Sequence, residues 1–198
     1  MISAIILAAG ESKRMGEPKL LLPWGEATIL ERVVDNVLGS GVDEVVVVLG
    51  HRADEMAARI AGRPVKTVIN DNYQGGMSTS LICGLNAVDA GSQGIMVVLG
   101  DQPSIPSELM EKLLMAFSWG QRGIVLPDYR GERGHPVIFD IKYRDELMGL
   151  KGDVGAREVI DAHSGDVLEV EVEDDVVLRD INEPRDYEAE RERSDFGG

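Results

Sequence analysis

One cysteine, Cys83, stands in 198 residues. It has no partner for an internal disulfide, and with no CxxC or Cys/His cluster around it there is no zinc pattern. Between Ile82 and Gly84 on an expected helix, it reads as packed and inert. Long apolar runs are missing too; none approaches the length that crosses a bilayer. "MISAIILAAG" lacks a basic leader and a small-residue cleavage site, so it does not read as a signal peptide, and the cytoplasm is the expected compartment. Basic residues are few, 20 against 35 acidic, for a net charge of −15. That field repels polyanions and argues against nucleic-acid partners; no membrane partner is expected either. The chain suffices for one buried core, and two full domains would be a squeeze. No repeat or linker marks a second unit, so a single domain over 1–188 is expected, with a polar, disordered tail at 189–198.

What is present alternates. "SAIILAA" (3–9), "EVVVVLG" (44–50), "VKTVIN" (65–70) and "GIMVVLGD" (94–101) read as buried strands. Between them "TILERVVDNVLGSG" (28–41), "ADEMAARIAG" (53–62), "MSTSLICGLNAVDAG" (77–91) and "SELMEKLLMAF" (107–117) read as helices. Thr28 with Glu31, Ser78 and Ser107 are the expected caps. This rhythm predicts an α/β fold in three layers, α/β/α, around a mainly parallel sheet. Beyond "GIVLP" (123–127), "HPVIFD" (135–140), "DVLEVEVE" (166–173) and "VVLRDI" (176–181) predict an added, partly antiparallel edge. "KGDVGAREVIDAH" (151–163) reads as a helix entered through a glycine turn.

The first strand breaks into "LAAGESKRMGEPK" (7–19), where Lys13, Arg14 and Lys19 run against the acidic background. Two phosphate loops fail here. Five residues, not four, separate Gly10 from Gly16, and Glu-Pro-Lys follows; G-x-G-x-x-G is absent. A solvated basic turn and a phosphate cradle both remain open. In the cradle, Gly10 admits a backbone N–H close to a phosphate, Arg14 forks onto its oxygens, and Lys19 acts as a point charge. Ala8 and Ala9 leave room for something flat.

"LAAGESKRMGEPKLLLPWG" resembles the signature of nucleotidyltransferases with a glycosyltransferase-A-like α/β fold, and more closely the molybdenum cofactor cytidylyltransferase branch. "NDNYQGGMSTSL" (70–81), "VVLGDQPSI" (97–105), "GHPVIF" (134–139), "GDVGAR" (152–157) and "RDINEPRDY" (179–187) extend the likeness over most of the chain. The resemblance implies a Rossmann-like nucleotide-diphospho-sugar transferase fold. It also implies transfer of CMP from CTP to a molybdopterin-type phosphorylated acceptor, release of pyrophosphate, Mg²⁺ as cofactor and a molybdoenzyme to receive the product. Catalytic roles fall on Arg14, Lys19 and Asp101. Nucleotide binding falls on Leu7, Ala8, Ala9, Gly10, Arg14, Lys19, Asn70, Gly75, Met77, Ser78 and Ser80. Metal binding falls on Asp101 and Asp180, and acceptor binding on Gly134, His135 and Arg157.

Each of these has a plainer reading beside it. Asp101, ending a buried strand where α/β sheets bind ligands, is either a magnesium ligand or a turn former. Asp180 and Asn182 alternate about Ile181 and so share one side of the chain. Asn182 equally suits the cap of a last helix. Ser78 and Asn70 could bind a nucleotide or satisfy their own helix and turn. His135, before a proline, is as readily structural, Arg133 is a second candidate for the acceptor's phosphate, and His51 lies near the expected crevice. Ala9 agrees with the cytidylyl branch, whereas Asn182 is similar to the guanylyl one. GTP in place of CTP, another phosphorylated acceptor, a sugar-1-phosphate enzyme and a non-catalytic cofactor chaperone are the alternatives.

Overall fold

The computed structural model describes residues 1–153 and 155–195. In chain order the strands are β1 (Ile2–Ala8), β2 (Pro23–Trp24), β3 (Ala27–Thr28), β4 (Glu44–Leu49), β5 (Lys66–Ile69), β6 (Gly94–Leu99), β7 (Ile124–Tyr129), β8 (Glu132–Arg133), β9 (Val137–Asp140) and β10 (Val167–Glu171). The helices are α1 (Ile29–Gly39), α2 (Ala53–Arg59), α3 (Met77–Ala87), α4 (Ser107–Trp119), α5 (Arg144–Met148), α6 (Arg157–Ala162) and α7 (Pro184–Asp195). The main sheet runs β10-β7-β9-β6-β1-β4-β5, with β8 hairpinned onto β7, while β2 and β3 form a separate antiparallel pair.

Every strand on that path is parallel to its fellows except β9. The sheet is therefore mainly parallel, as expected, but its antiparallel strand is interior, wedged between β6 and β7, and the outermost β10 is parallel to β7. "VVLRDI" is no strand: Asp174 caps a short 3-10 turn at Asp175–Leu178, and an extended segment follows. Its apolar alternation reflects one-sided burial of Val177 and Ile181 against the body rather than a ladder. β5, expected buried, is the other edge strand, and Ile69 is exposed there.

Continuous apolar strands are what a sheet covered on both faces requires. Ala4, Ile6, Val45, Val47, Met96 and Val98 point to one face, where Val33 and Val37 of α1, Met56 of α2 and Leu113 of α4 cover them. Ile5, Val46, Val48, Ile95 and Val97 point to the other, under Leu81 and Leu85 of α3, Leu147 of α5 and Ile160 of α6. Thr28 and Glu31 close the expected capping box on α1. Ser78 and Ser107 are not caps. α3 and α4 start one residue after Gly76 and Pro106, and the two hydroxyls donate instead to the carbonyls of Gly152 and Asn36.

The expected tail also differs. Residues 189–195 continue α7, because Glu190 turns inward, buried, to accept from Ser104 and pair with Arg179 and Arg193. Residues 196–198, and Val154 within "GDVGAR", lie outside the described residues. No described helix is long and apolar enough to cross a membrane.

Candidate active site

β1 and β6 lie side by side, so the loops leaving their C-terminal ends, after Ala8 and Leu99, emerge together. The first carries the basic turn and the second Asp101. Gly100 N donates to the Leu7 carbonyl at 3.0 Å, pinning the two exits to each other. The basic turn folds back on itself. Ser12 takes a left-handed φ of 55°, its carbonyl accepts from Met15 N, and its Oγ accepts from Lys19 N at 3.2 Å. A non-glycine residue held at positive φ is uncommon outside turns and functional loops.

That turn delivers Lys19 to Asp101. Lys19 Nζ lies 2.6 Å from Asp101 Oδ2 and 3.3 Å from Asn182 Oδ1, and both Lys19 and Asp101 side chains are largely buried. Asp180 stands beside them, bonded through Oδ1 to Gln102 Nε2 at 2.7 Å. Burial, and then the negative charge of Asp101, push the Asp180 carboxyl above its usual range, while Gln102, Lys19 and Asn182 act against the rise. Three segments remote in sequence, at 19, 101–102 and 180–182, thus converge. Ile181 N donates to the Asp101 carbonyl and fastens the last of them.

Asp101 Oδ1 is buried with no hydrogen-bond partner among the described residues. Such an orphan beside a second carboxylate fits a cation. Among the described residues no group of three or more His, Cys, Asp or Glu side chains gathers. Asp101 and Asp180 alone would hold a metal, its shell completed by phosphate or water oxygens, as magnesium accepts.

Outward from Lys19 opens a cavity of about 530 Å³ lined by Gly10, Ser12, Arg14, Gly75, Gly76 and Asn182, among others. A Cβ on Gly10 would meet no atom of the described residues within 4 Å. Arg14 is exposed, with no ion pair among the described residues, whereas Lys13 is tied to Glu11 at 2.7 Å. Ala8 and Ala9 are buried, and the Ala9 carbonyl accepts from His51 N, so His51 braces the turn by its backbone. A second cavity of about 510 Å³ has Leu7, Met77, Leu81 and Val97 along its apolar wall and His135, Gly134, Arg133 and Arg157 at its rim. Leu7 and Met77, expected on the nucleotide, thus share one cavity with Gly134, His135 and Arg157, expected on the acceptor.

Asn70, Ser78 and Ser80 are buried and engaged internally. Asn70 Nδ2 donates to Thr79 and Ser80, its Oδ1 accepts from Asn72 N, and Ser78 donates to Gly152. The start of α3 is likewise taken: Met77 N donates to Asp153 Oδ1 and Ser78 N to the Gly152 carbonyl. Gly76 permits this closeness, with φ at 101° and a would-be Cβ 2.5 Å from the Gly152 backbone. Burial pushes the His135 imidazole below its ordinary range, against the pull of Asp101. Arg133 pairs with Glu169 and Asp161, while Arg157 is exposed at the start of α6.

Gln102, Ser12 and Asp153, which borders both cavities, were not singled out by the sequence. The signal for Gln102 was its place beside Asp101 in "GDQP", and that for Asp153 its place in "GDVGAR".

Comparison with known proteins shows the family and the fold. The MobA-like NTP transferase domain matches residues 4–167. A molybdenum cofactor cytidylyltransferase of Escherichia coli (strain K12) is 30% identical over 195 residues, 97% of this chain and 96% of that protein. A nicotine blue oxidoreductase of Paenarthrobacter nicotinovorans is 33% identical over 165 residues, 79% of each. The crystal structure of Rv0371c from Mycobacterium tuberculosis H37Rv superposes with a TM-score of 0.87 at 29% identity, covering 96% of this chain and 97% of that one. Another structure of Rv0371c is a complex with manganese. A strand-end aspartate facing a basic glycine turn, on this sheet and in this family, identifies the chain as a nucleotidyltransferase that belongs to the MobA-like NTP transferase domain family.

Proposed function

We propose that the protein transfers CMP from CTP to a molybdopterin-type phosphorylated acceptor with release of pyrophosphate, in the cytoplasm. The observation that carries this reading is the meeting of Lys19, Asp101 and Asn182 at the mouth of the cavity lined by Gly10 and Arg14. The Escherichia coli relative, similar over nearly its whole length, supports the choice of base and acceptor.

In this reading Gly10 and its neighbours receive the triphosphate by backbone N–H groups, Arg14 forks onto phosphate oxygens, and Lys19 brings a point charge to the same group. A phosphate oxygen of the acceptor, held near Gly134, His135 and Arg157, attacks the α-phosphorus. The bond from that phosphorus to the bridging oxygen breaks, and pyrophosphate leaves with the electron pair. The acceptor oxygen is already ionised near neutral pH, so no general base is needed, and positioning with electrostatics supplies the rate. Magnesium, held by Asp101 and Asp180, would neutralise charge on the triphosphate. Asn70, Ser78 and Ser80 support this site through the junction they build, and Gly75 lines the phosphate cavity. A molybdoenzyme is the proposed recipient of the product.

Asn182 favours a second reading, GTP in place of CTP, because it faces the site and not a helix cap. Pyrophosphate release with molybdopterin, Mg²⁺ and each nucleotide in turn tests both. CTP-dependent release that Asp101→Ala abolishes in a folded protein is the expected result. Release with GTP alone moves the reading to guanylyl transfer, and none with either overturns molybdopterin as the acceptor.

A further inference from the structure

Gln102 is buried, with 2% of its surface exposed. Its Nε2 donates to Asp180 Oδ1 at 2.7 Å and to the Val177 carbonyl at 3.4 Å. Both partners accept, so the amide has one sensible orientation: exchanging oxygen and nitrogen would set oxygen against oxygen twice. Gln102 Oε1 is then buried without a partner among the described residues, as is Asp101 Oδ1 on the preceding residue. Buried polar atoms are nearly always partnered, so each of these two orphans calls for an explanation. Across from them the 177–181 segment is fastened to the 101–102 turn by Ile181 N as well. The main chain of that segment is thus secured apart from the Gln102 amide, whose shorter bond goes to a carboxylate side chain.

We propose that Gln102 is a positioning residue for nucleotidyl transfer: its amide N–H stops the Asp180 carboxylate from rotating and presents it to the divalent cation shared with Asp101. This rests on the metal reading given above. Residues that hold a ligand by one hydrogen bond typically change metal affinity by about 10–100-fold when removed.

The test is Mn²⁺ binding by electron paramagnetic resonance on the full chain, in wild type, Gln102→Met, Asp180→Asn and the double variant. Methionine has nearly the volume of glutamine and no donor. Gln102→Met is expected to keep its circular dichroism and to bind Mn²⁺ about tenfold more weakly. In the Asp180→Asn background the same change is expected to add nothing, since its effect passes through that carboxylate. Unchanged affinity in folded Gln102→Met overturns the proposal, as does an equal further loss in the Asp180→Asn background, which would mark a structural role. Gln102→Leu is read by the same criteria if Gln102→Met does not fold. Failure of the wild type to bind Mn²⁺ overturns the metal reading itself, and is thereby told apart from failure of the Gln102 role.

Discussion

A Cβ placed on Gly10 would meet no atom of the described residues within 4 Å. The described residues around it therefore do not demand glycine there; a phosphate brought against the backbone, as proposed above, would. Gly10→Ala is expected to melt within about 1–2 °C of wild type. It should nonetheless lose the stabilisation that nucleotide confers in a thermal-shift assay. Full nucleotide stabilisation in that variant would move the phosphate elsewhere. His135 gives a second test at this scale. Its folded imidazole resists protonation, whereas the unfolded one, with a pKa of about 6.5, does not. As pH falls below that value the unfolded state binds more protons, so stability drops; above it the contribution is constant. Melting curves between about pH 7.5 and 5.5 should decline less for His135→Gln than for wild type, and parallel curves would assign the acid sensitivity to another group. Arg14, Lys19 and Asp101 stood out in the sequence as candidates, but local grounds left a solvated turn and a turn-forming aspartate equally open, and their proposed roles came with the family resemblance. The partners of Asn70, Ser78 and Ser80 were not legible there. A polar side chain near a helix start looks the same whether it meets a nucleotide or the Gly152 carbonyl, and that carbonyl arrives from 74 residues away.

Among the elements, α1 was readable to its first residue. Thr28 Oγ1 accepts from Glu31 N at 3.3 Å, and Glu31 Oε2 accepts from Thr28 N at 2.9 Å. Thr28→Ala should therefore cost about 1 kcal/mol, a fall in Tm of about 2–4 °C for a chain of this size, with catalysis unaffected at lower temperature. A Tm equal to wild type would mean that the box adds nothing in this context. The place of β9 was less readable. Val137, Ile138 and Phe139 are a short, wholly buried apolar run, and Phe139 pairs with both Ile95 of β6 and Ile124 of β7, so both edges of the strand are covered. Composition distinguishes strand from helix; which two strands part to admit a third depends on the path of the whole chain. The same holds for the 176–181 segment. His135 N donates to the Val177 carbonyl and Ile181 N to the Asp101 carbonyl, bonds that pin an extended chain without making it a strand.

For the molecule as a whole, a net charge of −15 sets the background against which an anionic substrate must bind. A small pocket holding Arg14 and Lys19 can still attract a triphosphate, because salt screens distant charges within about 10 Å and near ones far less. With Mg²⁺ present, CTP at about a hundredfold over its Kd should stabilise the fold by about 2.7 kcal/mol, or about 5–10 °C in Tm. GTP at the same concentration should do less, and a reversed order would select the guanylyl reading. The family match ends at residue 167, while Asp180 and Asn182 come after it, threaded under the turn that bears Asp101. A growing polypeptide can thus lay down all the strands of its central sheet before it owns both acidic side chains of the crevice. A fragment that stops short of Asp180 would, on the metal reading proposed above, keep the sheet and lack one of the two ligands.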